Sequence, residues 1–326
     1  MPARITGPDM AQNRVLVFLG AYHGAPFIEQ QVETIRCQTT PCELIISDDA
    51  YSPDSETSQI EPGGAVVSLS HIAGPKQGFC SNFLSVFNLT DIDRYDYVAW
   101  SDQDDLWDTD HLARAVSVLA RQHGPAACGS RTRLVDANGR AIGWSPQWPK
   151  PLGFSNALVQ SVAGGNTLVM NQPCVAWVRA CLQEQGQAVA QWISHDWALY
   201  LMLSLADYPL MWLSEPTVRY RQHGQNLIGT NYGLAARMRR FSRLRRGEYA
   251  NWIHRQFEPL LRMVDWMSPE NQNALIAFQQ AAQTSGLSSL RALHQSGVYR
   301  QGVLDQRALE WAAFAGWLQS PKSRTP

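Results

Sequence analysis

The chain has 326 residues, of which 45% are hydrophobic and 17% are charged, and its formal net charge is -1. This composition excludes a largely disordered chain, and it lacks the basic excess of proteins that bind nucleic acid, so we expect no nucleic-acid partner. The longest apolar segment, residues 198–213, is broken by Asp207 and Pro209 and is shorter than the roughly 20 residues that span a bilayer, so we expect a soluble or peripheral protein. The expected location is the cytoplasm.

Short apolar runs typical of buried strands alternate with amphipathic helical patterns in the first two thirds of the chain. Strands are predicted at residues 14–20, 43–47, 65–70 and 95–101, and helices at residues 26–38, 79–89 and 108–122. This alternation predicts an α/β fold with a Rossmann-like, mostly parallel sheet and helices on both faces. Ligands bind such sheets at the carboxyl ends of the strands, so we expect the site there.

The sequence pattern changes near residue 231, after which strand-like runs stop and helical segments follow, separated by Gly and Pro. We therefore predict a first domain over residues 1–230 and a C-terminal α-helical appendage over residues 231–326.

A dense group of carboxylates, SDQDDLWD at residues 101–108, follows the fourth predicted strand. In an extended strand end, Asp102 and Asp104 would project to one side, and Gln103 and Asp105 to the other. The first pair could then share a hard divalent cation, Mg²⁺ or Mn²⁺. The alternative is a solvated acidic turn that complements the dipole of the next helix, and for Asp108 this capping role is the favoured interpretation.

Seven motifs in chain order carry a resemblance to a known family. They are FLGAYHG (18–24), SDDAYSPD (47–54), GPKQGFCSNF (74–83), SDQDDLW (101–107), AGGNTLVMN (163–171), ISHDWALYL (193–201) and YRQHGQN (220–226). Together they resemble glycosyltransferase family 2, the inverting enzymes of GT-A type, and most closely its bacterial polysaccharide rhamnosyltransferases. The resemblance implies that the first domain is a GT-A-like catalytic domain.

The resemblance also implies a role for each matching residue. The residues implied to bind the nucleotide sugar are Ala21, Tyr22, Asp48, Asp49, Gly78, Asn82, Asp102 and Arg221. Those implied to hold a divalent cation are Asp102, Asp104 and His223. Those implied to contact the acceptor or the donor sugar are Trp107, Gly164, Gly165, Asn166 and His195.

Asp196 is at the position that matches the family's catalytic base. From the residues alone, Asp196 could instead be a helix N-cap, His223 a structural histidine and Trp107 a core ring.

The function implied by the resemblance is transfer of a sugar, with L-rhamnose as the leading donor sugar. The donor would be a dTDP- or UDP-sugar, and the acceptor a growing bacterial surface polysaccharide or a lipid-linked glycan. Two alternatives stay open: a catalytically inactive nucleotide-sugar-binding assembly subunit, and a sugar-phosphate nucleotidyltransferase. A nucleotidyltransferase normally has a basic, glycine-rich phosphate loop near its first strand. FLGAYHGAPF, at that place in this sequence, contains no Lys or Arg, which disfavours the second alternative.

The segment LAARMRRFSRLRR, residues 234–246, carries six arginines around a narrow apolar stripe. This pattern is typical of a helix on an anionic membrane surface, which would place the protein on the inner face of the cell membrane as a peripheral protein. The alternative is a helix that packs on the catalytic domain with its arginines in solvent.

Overall fold

A nine-stranded sheet organises the computed structural model, which describes residues 13–24, 27–52, 56–223 and 242–320. The strands are β1 (Val15–Ala21), β2 (Cys42–Asp48), β3 (Val66–Ala73), β4 (Tyr97–Asp102), β5 (Leu106–Trp107), β6 (Ala127–Asp136), β7 (Ala141–Trp144), β8 (Val169–Asn171) and β9 (Leu210–Gln222). The helices are α1 (Ile28–Arg36), α2 (Phe79–Leu84), α3 (His111–Leu119), α4 (Phe154–Ala157), α5 (Gln172–Gln185), α6 (His195–Ser204), α7 (Glu248–Arg262), α8 (Pro269–Gln283), α9 (Gly286–Gln295) and α10 (Val303–Phe314).

The four predicted strands form one parallel half of the sheet, in the order β3-β2-β1-β4. The other half follows in the order β8-β6-β9-β5 and mixes parallel and antiparallel pairs, with β7 paired to β6. In this register Ala21 is opposite Asp48, and Gly20 is opposite Asp102. The carboxyl ends of β1, β2 and β4 therefore meet at one edge, as the α/β prediction requires.

Two apolar cores cover the two faces of the sheet. In β1, Leu16 and Phe18 point into one core, and Val15, Val17 and Leu19 point into the other. This strand is buried on both faces, which explains its continuous apolar sequence. Helices lie on both sides, so the predicted fold class is confirmed.

The helices after residue 242 share the larger core with the sheet. Phe257, Phe278, Leu293 and Leu309 belong to the same cluster of buried residues as Phe18. The predicted boundary near residue 231, and most of the arginine-rich segment, lie outside the described residues. Within the described part, no helix is long and apolar enough to cross a membrane.

Asp108 does not cap the helix that follows it, so the sequence-based interpretation is wrong. Helix α3 begins only at His111, after Asp110. The Asp108 carboxylate instead pairs with Arg133 and lies 3.6 Å from Nε of Arg219. Asp108 therefore ties this turn to β6 and β9.

Candidate active site

The acidic motif forms a tight turn at the end of β4. The strand ends at Asp102, the chain turns through the next two residues, and the carboxylate oxygens of Asp102, Asp104 and Asp105 come within 4.8 Å of one another. The expected strand-like alternation, with Asp105 facing away from the other two, is therefore wrong. It assumed an extended backbone, whereas the strand stops one residue after Ser101.

Asp105 holds this turn in place from the inside. Its side chain is fully buried, and its carboxylate accepts hydrogen bonds from the side-chain amide of Asn166 and from the backbone N–H of Arg221, the latter at 3.1 Å. Burial, with the charges of Asp104 and Asp102, raises the pKa of Asp105 well above its usual range. The two hydrogen bonds favour the charged form and partly offset this effect.

Asp102 and Asp104 are the two carboxylates that face the open side of the turn. Among the described residues, no hydrogen-bond donor meets the Asp102 carboxylate, and Asp104 Oδ2 lies 2.8 Å from Nε2 of His223. The His223 ring stacks on Phe27, with 4.6 Å between ring centroids. Burial, followed by the charges of Asp104 and Asp196, raises the pKa of Asp102 to about 8.

These residues have the donor chemistry of a site for a hard divalent cation. Asp102 and Asp104 offer oxygen ligands, which Mg²⁺ and Mn²⁺ prefer, and the His223 imidazole beside them adds a nitrogen donor. Like charges at this separation repel one another, and a bound cation would remove that repulsion.

The end of β2 forms the neighbouring wall of the site. Asp48 is 3% exposed, and its carboxylate accepts from the N–H of Ala50 at 2.8 Å and from the Thr57 hydroxyl at 2.9 Å. The Asp49 carboxylate accepts from the N–H groups of Lys76 at 3.0 Å and Gly78 at 3.2 Å. Asp49 therefore joins the end of β2 to the loop before α2.

Gly78 and Gly74 allow that loop to approach Asp49. Gly78 has φ of 88°, a left-handed conformation that favours glycine, and it immediately precedes α2. A Cβ on Gly74 would lie 2.2 Å from Asp49 Oδ1.

Gln103 connects the acidic turn to the end of β1. Its side-chain amide accepts from the Tyr22 N–H at 2.8 Å and donates to the Tyr22 carbonyl at 3.0 Å. The Tyr22 ring is 62% exposed and lies edge-on to the His23 ring, with 4.3 Å between centroids, while the Ala21 carbonyl accepts from the Asp49 N–H at 2.9 Å. The ends of β1, β2 and β4 are thus joined by hydrogen bonds.

Two residues expected to contact the nucleotide are instead committed to the fold. Asn82 is 2% exposed, and its amide pairs with Ser47, with one contact to the Ser47 carbonyl at 2.9 Å and one to its hydroxyl at 2.5 Å. Arg221 is 3% exposed, and its guanidinium donates to the carbonyls of Asp104 and Ala137 and to Gln30 Oε1, at 2.8 to 2.9 Å. Both expectations of direct contact are corrected by this burial: these side chains position the site.

Trp107 is a core ring and not a platform for a sugar. It is 1% exposed in β5, and its ring centroid lies 4.3 Å from that of His111. The motif places it next to the acidic turn in sequence, but the chain has by then entered the sheet beside β9.

Asp196 lies in the first turn of α6, a helix whose other residues are all buried. The N-cap is Ser194, so Asp196 is not the cap. Its Oδ2 accepts a hydrogen bond from the Ser161 hydroxyl at 2.9 Å. The adjacent His195 ring lies 4.8 Å from the ring of Trp100 in β4, so the start of α6 packs against the strand that ends at Asp102.

The glycine turn at residues 164–166 packs against His195. The His195 ring is 4% exposed and stacks on Phe83 with 4.0 Å between centroids, and burial lowers its pKa to about 4. A Cβ on Gly165 would lie 1.9 Å from His195 Nε2, so only glycine fits there. Gly164 is exposed, while Asn166 is buried and directs its amide at Asp105.

The motifs did not predict three contributors to this site: Gln103, Ser161 and the supporting role of Asp105. Each acts through a partner at least 35 residues away, Tyr22, Asp196 and Asn166 respectively. Only the position of Gln103 and Asp105 inside the acidic motif could have drawn attention to them.

Comparison with known proteins gives one sequence relative and several structural neighbours. No family model matches the chain. The dTDP-rhamnosyl transferase RfbG of Shigella flexneri is 24% identical over 236 residues, which cover 71% of this chain and 80% of that protein. The similarity to RfbG confirms the resemblance to glycosyltransferases that the seven motifs indicated.

Two solved structures are also similar. TarS residues 1–349 of S. aureus, in complex with UDP-GlcNAc, gives a TM-score of 0.49 at 13% identity, over 92% of this chain and 90% of the TarS chain. The mannosyltransferase PcManGT from Pyrobaculum calidifontis, in complex with GDP-Man and Mn²⁺, gives a TM-score of 0.48 at 19% identity, over 94% of this chain and 77% of the other.

Proposed function

We propose that this protein is an inverting, metal-dependent glycosyltransferase. It transfers a sugar, with L-rhamnose as the leading candidate, from a nucleoside diphosphate to a hydroxyl of a bacterial surface polysaccharide or lipid-linked glycan. Two observations carry the proposal: the carboxylate pair Asp102 and Asp104 at the end of β4, and the separately anchored Asp196 in the first turn of α6, which packs against β4 through His195 and Trp100. The name of the RfbG relative supports a dTDP-linked rhamnose donor.

Asp102 and Asp104 would hold the divalent cation, with His223 beside them. When bound, the cation supplies positive charge that neutralises the departing diphosphate. The turn that carries the two carboxylates is fixed by Asp105 and by Gln103, so both ligands are positioned before the donor arrives.

Asp196 is the proposed general base. As the bond between the anomeric carbon and the diphosphate oxygen breaks, a bond from the acceptor oxygen to that carbon forms on the opposite face, and the hydroxyl proton passes to Asp196. Ser161 fixes one carboxylate oxygen, and no hydrogen bond from the described residues reaches Oδ1. That oxygen is therefore available to take the proton.

Tyr22, Asp48 and Asp49 form the proposed nucleotide side of the site. Asp48 and Asp49 each already accept two hydrogen bonds from protein groups, and a carboxylate has about four lone-pair positions, so each can still accept one from a base or ribose. The exposed Tyr22 ring offers a face for the base.

The decisive experiment is a donor screen. The full-length protein is incubated with dTDP-L-rhamnose, UDP-GlcNAc and other dTDP- and UDP-sugars, with Mn²⁺ or Mg²⁺, and released nucleoside diphosphate is measured. We expect turnover of a dTDP-sugar, and product of inverted anomeric configuration by NMR.

Two results would contradict the proposal. Donor binding with no transfer to acceptor or to water would favour the inactive assembly subunit. Formation of a nucleotide sugar and pyrophosphate from a sugar phosphate and a nucleoside triphosphate would favour the nucleotidyltransferase.

We include peripheral membrane contact in the proposal on the basis of the six arginines in residues 234–246. A lipid-linked acceptor would be presented at that surface, so a basic segment there would bring the enzyme to its substrate.

A further inference from the structure

A groove of about 760 Å³ lies between α2, with the 3₁₀ turn that follows it, and the C-terminal end of α5. Its floor is apolar, since Leu84 and Phe87 are buried beneath it. Its volume is in the range of pockets that take whole organic ligands. None of the roles assigned above uses this groove.

The groove carries no uncompensated charge. Among the described residues that line it, Arg179 is the only charged one. Its guanidinium is engaged with the Asp93 carboxylate at 2.6 Å and with the carbonyls of Phe87 at 3.1 Å and Leu89 at 3.3 Å. A phosphate or carboxylate ligand would find no available cation here, so the occupant is expected to be neutral.

Amide and hydroxyl groups stand around the apolar floor. Gln77, Asn88 and Gln183 line the groove and are exposed, and none of their side-chain amides has a hydrogen-bond partner in the described chain. Ser81 and Thr90 add hydroxyl groups. An amide both donates and accepts, which matches the hydroxyl groups of a sugar, and the CH faces of a sugar suit an apolar floor.

Helix α2 connects this groove to the proposed catalytic residues. Ser81 lines the groove, while its neighbour Cys80 is near enough to Asp196 for that charge to help burial raise the thiol pKa to about 12. The Phe79 ring centroid lies 5.9 Å from that of His195. At the same end, Pro75 and Gln77 belong to the loop that Asp49 holds.

We propose that this groove is an acceptor subsite that binds the sugar units of a neutral glycan beyond the one that receives the transferred sugar. The inference rests on the proposed function and adds the class of acceptor to it. The acceptor's reactive hydroxyl would reach Asp196 past the start of α2, while its preceding units occupy the groove.

The test uses a triple variant, Gln77→Ala with Asn88→Ala and Gln183→Ala, which removes the three amides without touching the floor. The matched control is Gln280→Ala with Asn273→Ala, two exposed positions on α8. The probes are neutral oligosaccharides of one to four sugar units, and hyaluronan fragments serve as an anionic contrast. Circular dichroism verifies that both variants are folded.

Two readouts separate this proposal from the proposed function. In transfer assays, the triple variant should raise the KM of the longer acceptors roughly 10-fold or more, from three lost hydrogen bonds, and leave donor KM and donor hydrolysis unchanged. Saturation-transfer NMR needs no turnover, and it should show contacts to neutral oligosaccharides in the wild-type protein and the control, with loss in the triple variant.

Equal NMR contacts in the wild type and the triple variant, or stronger contacts to the hyaluronan fragments, would overturn the acceptor subsite. An equal change in KM for single sugars and for longer acceptors would also overturn it, because single sugars do not reach the groove. Failure of the proposed function would appear differently, as an absence of donor turnover in every variant while the NMR contacts persist.

Discussion

Substitution of Gly165 by alanine tests whether the glycine turn and His195 act as one packed unit. The new Cβ would lie 1.9 Å from Nε2, 2.8 Å from Cε1 and 3.0 Å from Cδ2 of His195. The ring cannot yield, because it is stacked on Phe83 at 4.0 Å and lies edge-on to Trp100 at 4.8 Å. The turn must therefore move, and Asn166 moves with it.

The expected cost has a stability part and an activity part. Forcing one methyl group into a packed core costs about 1–3 kcal/mol. At roughly 2–4 °C per kcal/mol for a large domain, Tm should fall by roughly 2–12 °C in a thermal unfolding experiment. The Asn166 amide supports Asp105 and hence the cation ligands, so a displacement of about 1 Å should also reduce kcat/KM by up to roughly 10²-fold.

Removing the ring should remove the conflict. In a double-mutant cycle, Gly165→Ala should cost at least 1 kcal/mol less in the His195→Ala background than in the wild type. Gly124→Ala is the matched control, because a Cβ at Gly124 meets nothing within 4 Å, and it should leave Tm unchanged. If Gly165→Ala has the same cost in both backgrounds, the packing explanation is refuted.

Four other predictions concern the site and the arginine-rich segment, residues 234–246. Asp196→Asn keeps the shape of the carboxylate and removes the base, so we expect turnover to fall at least 10²-fold with unchanged donor affinity by calorimetry; parental turnover would exclude the base. Ser161→Ala should lower kcat several-fold without changing donor KM, because Asp196 Oδ2 loses its hydrogen bond, and Ser161→Thr should restore kcat. If both variants have the parental kcat, Ser161 has no role in positioning Asp196. Chelation should abolish transfer and Mn²⁺ should restore it, with Asp104→Asn needing more Mn²⁺; full activity in the chelator would contradict the cation site. We expect the protein to bind anionic but not neutral liposomes, and this binding should weaken with added salt. It should also weaken when four arginines are replaced by Gln: Arg239, Arg240, Arg243 and Arg246. Equal binding to both kinds of liposome would contradict membrane attraction.

The sequence predicted the parallel half of the sheet because its strands are buried on both faces. Such strands are continuous apolar runs, and the acidic residues at their ends stand out against them. The meeting of Asp48 and Asp102 beside Ala21 follows from parallel pairing alone. The strands β6 and β8 were not predicted, because β6 mixes polar with apolar residues and β8 has only three residues.

The roles of individual side chains were harder to predict, because they depend on partners distant in sequence. Arginine is a residue type that often binds phosphate, yet the guanidinium of Arg221 donates its hydrogen bonds to Asp104, Ala137 and Gln30. Asn82 is similarly occupied by Ser47. A motif identifies which positions matter, but burial decides whether a residue touches the ligand or supports one that does.

The shared core of the sheet and the last four helices has a consequence for how the protein unfolds. Phe257 and Phe278 are buried against each other and belong to the cluster that also includes Phe18 and Trp100 of the sheet. Removal of the chain after residue 230 would expose this apolar surface, so the first 230 residues should aggregate rather than survive as a smaller enzyme. Loss of the helices and loss of the active site are therefore expected to be one cooperative event, and a destabilising change in α8 would inactivate the enzyme without touching its substrates.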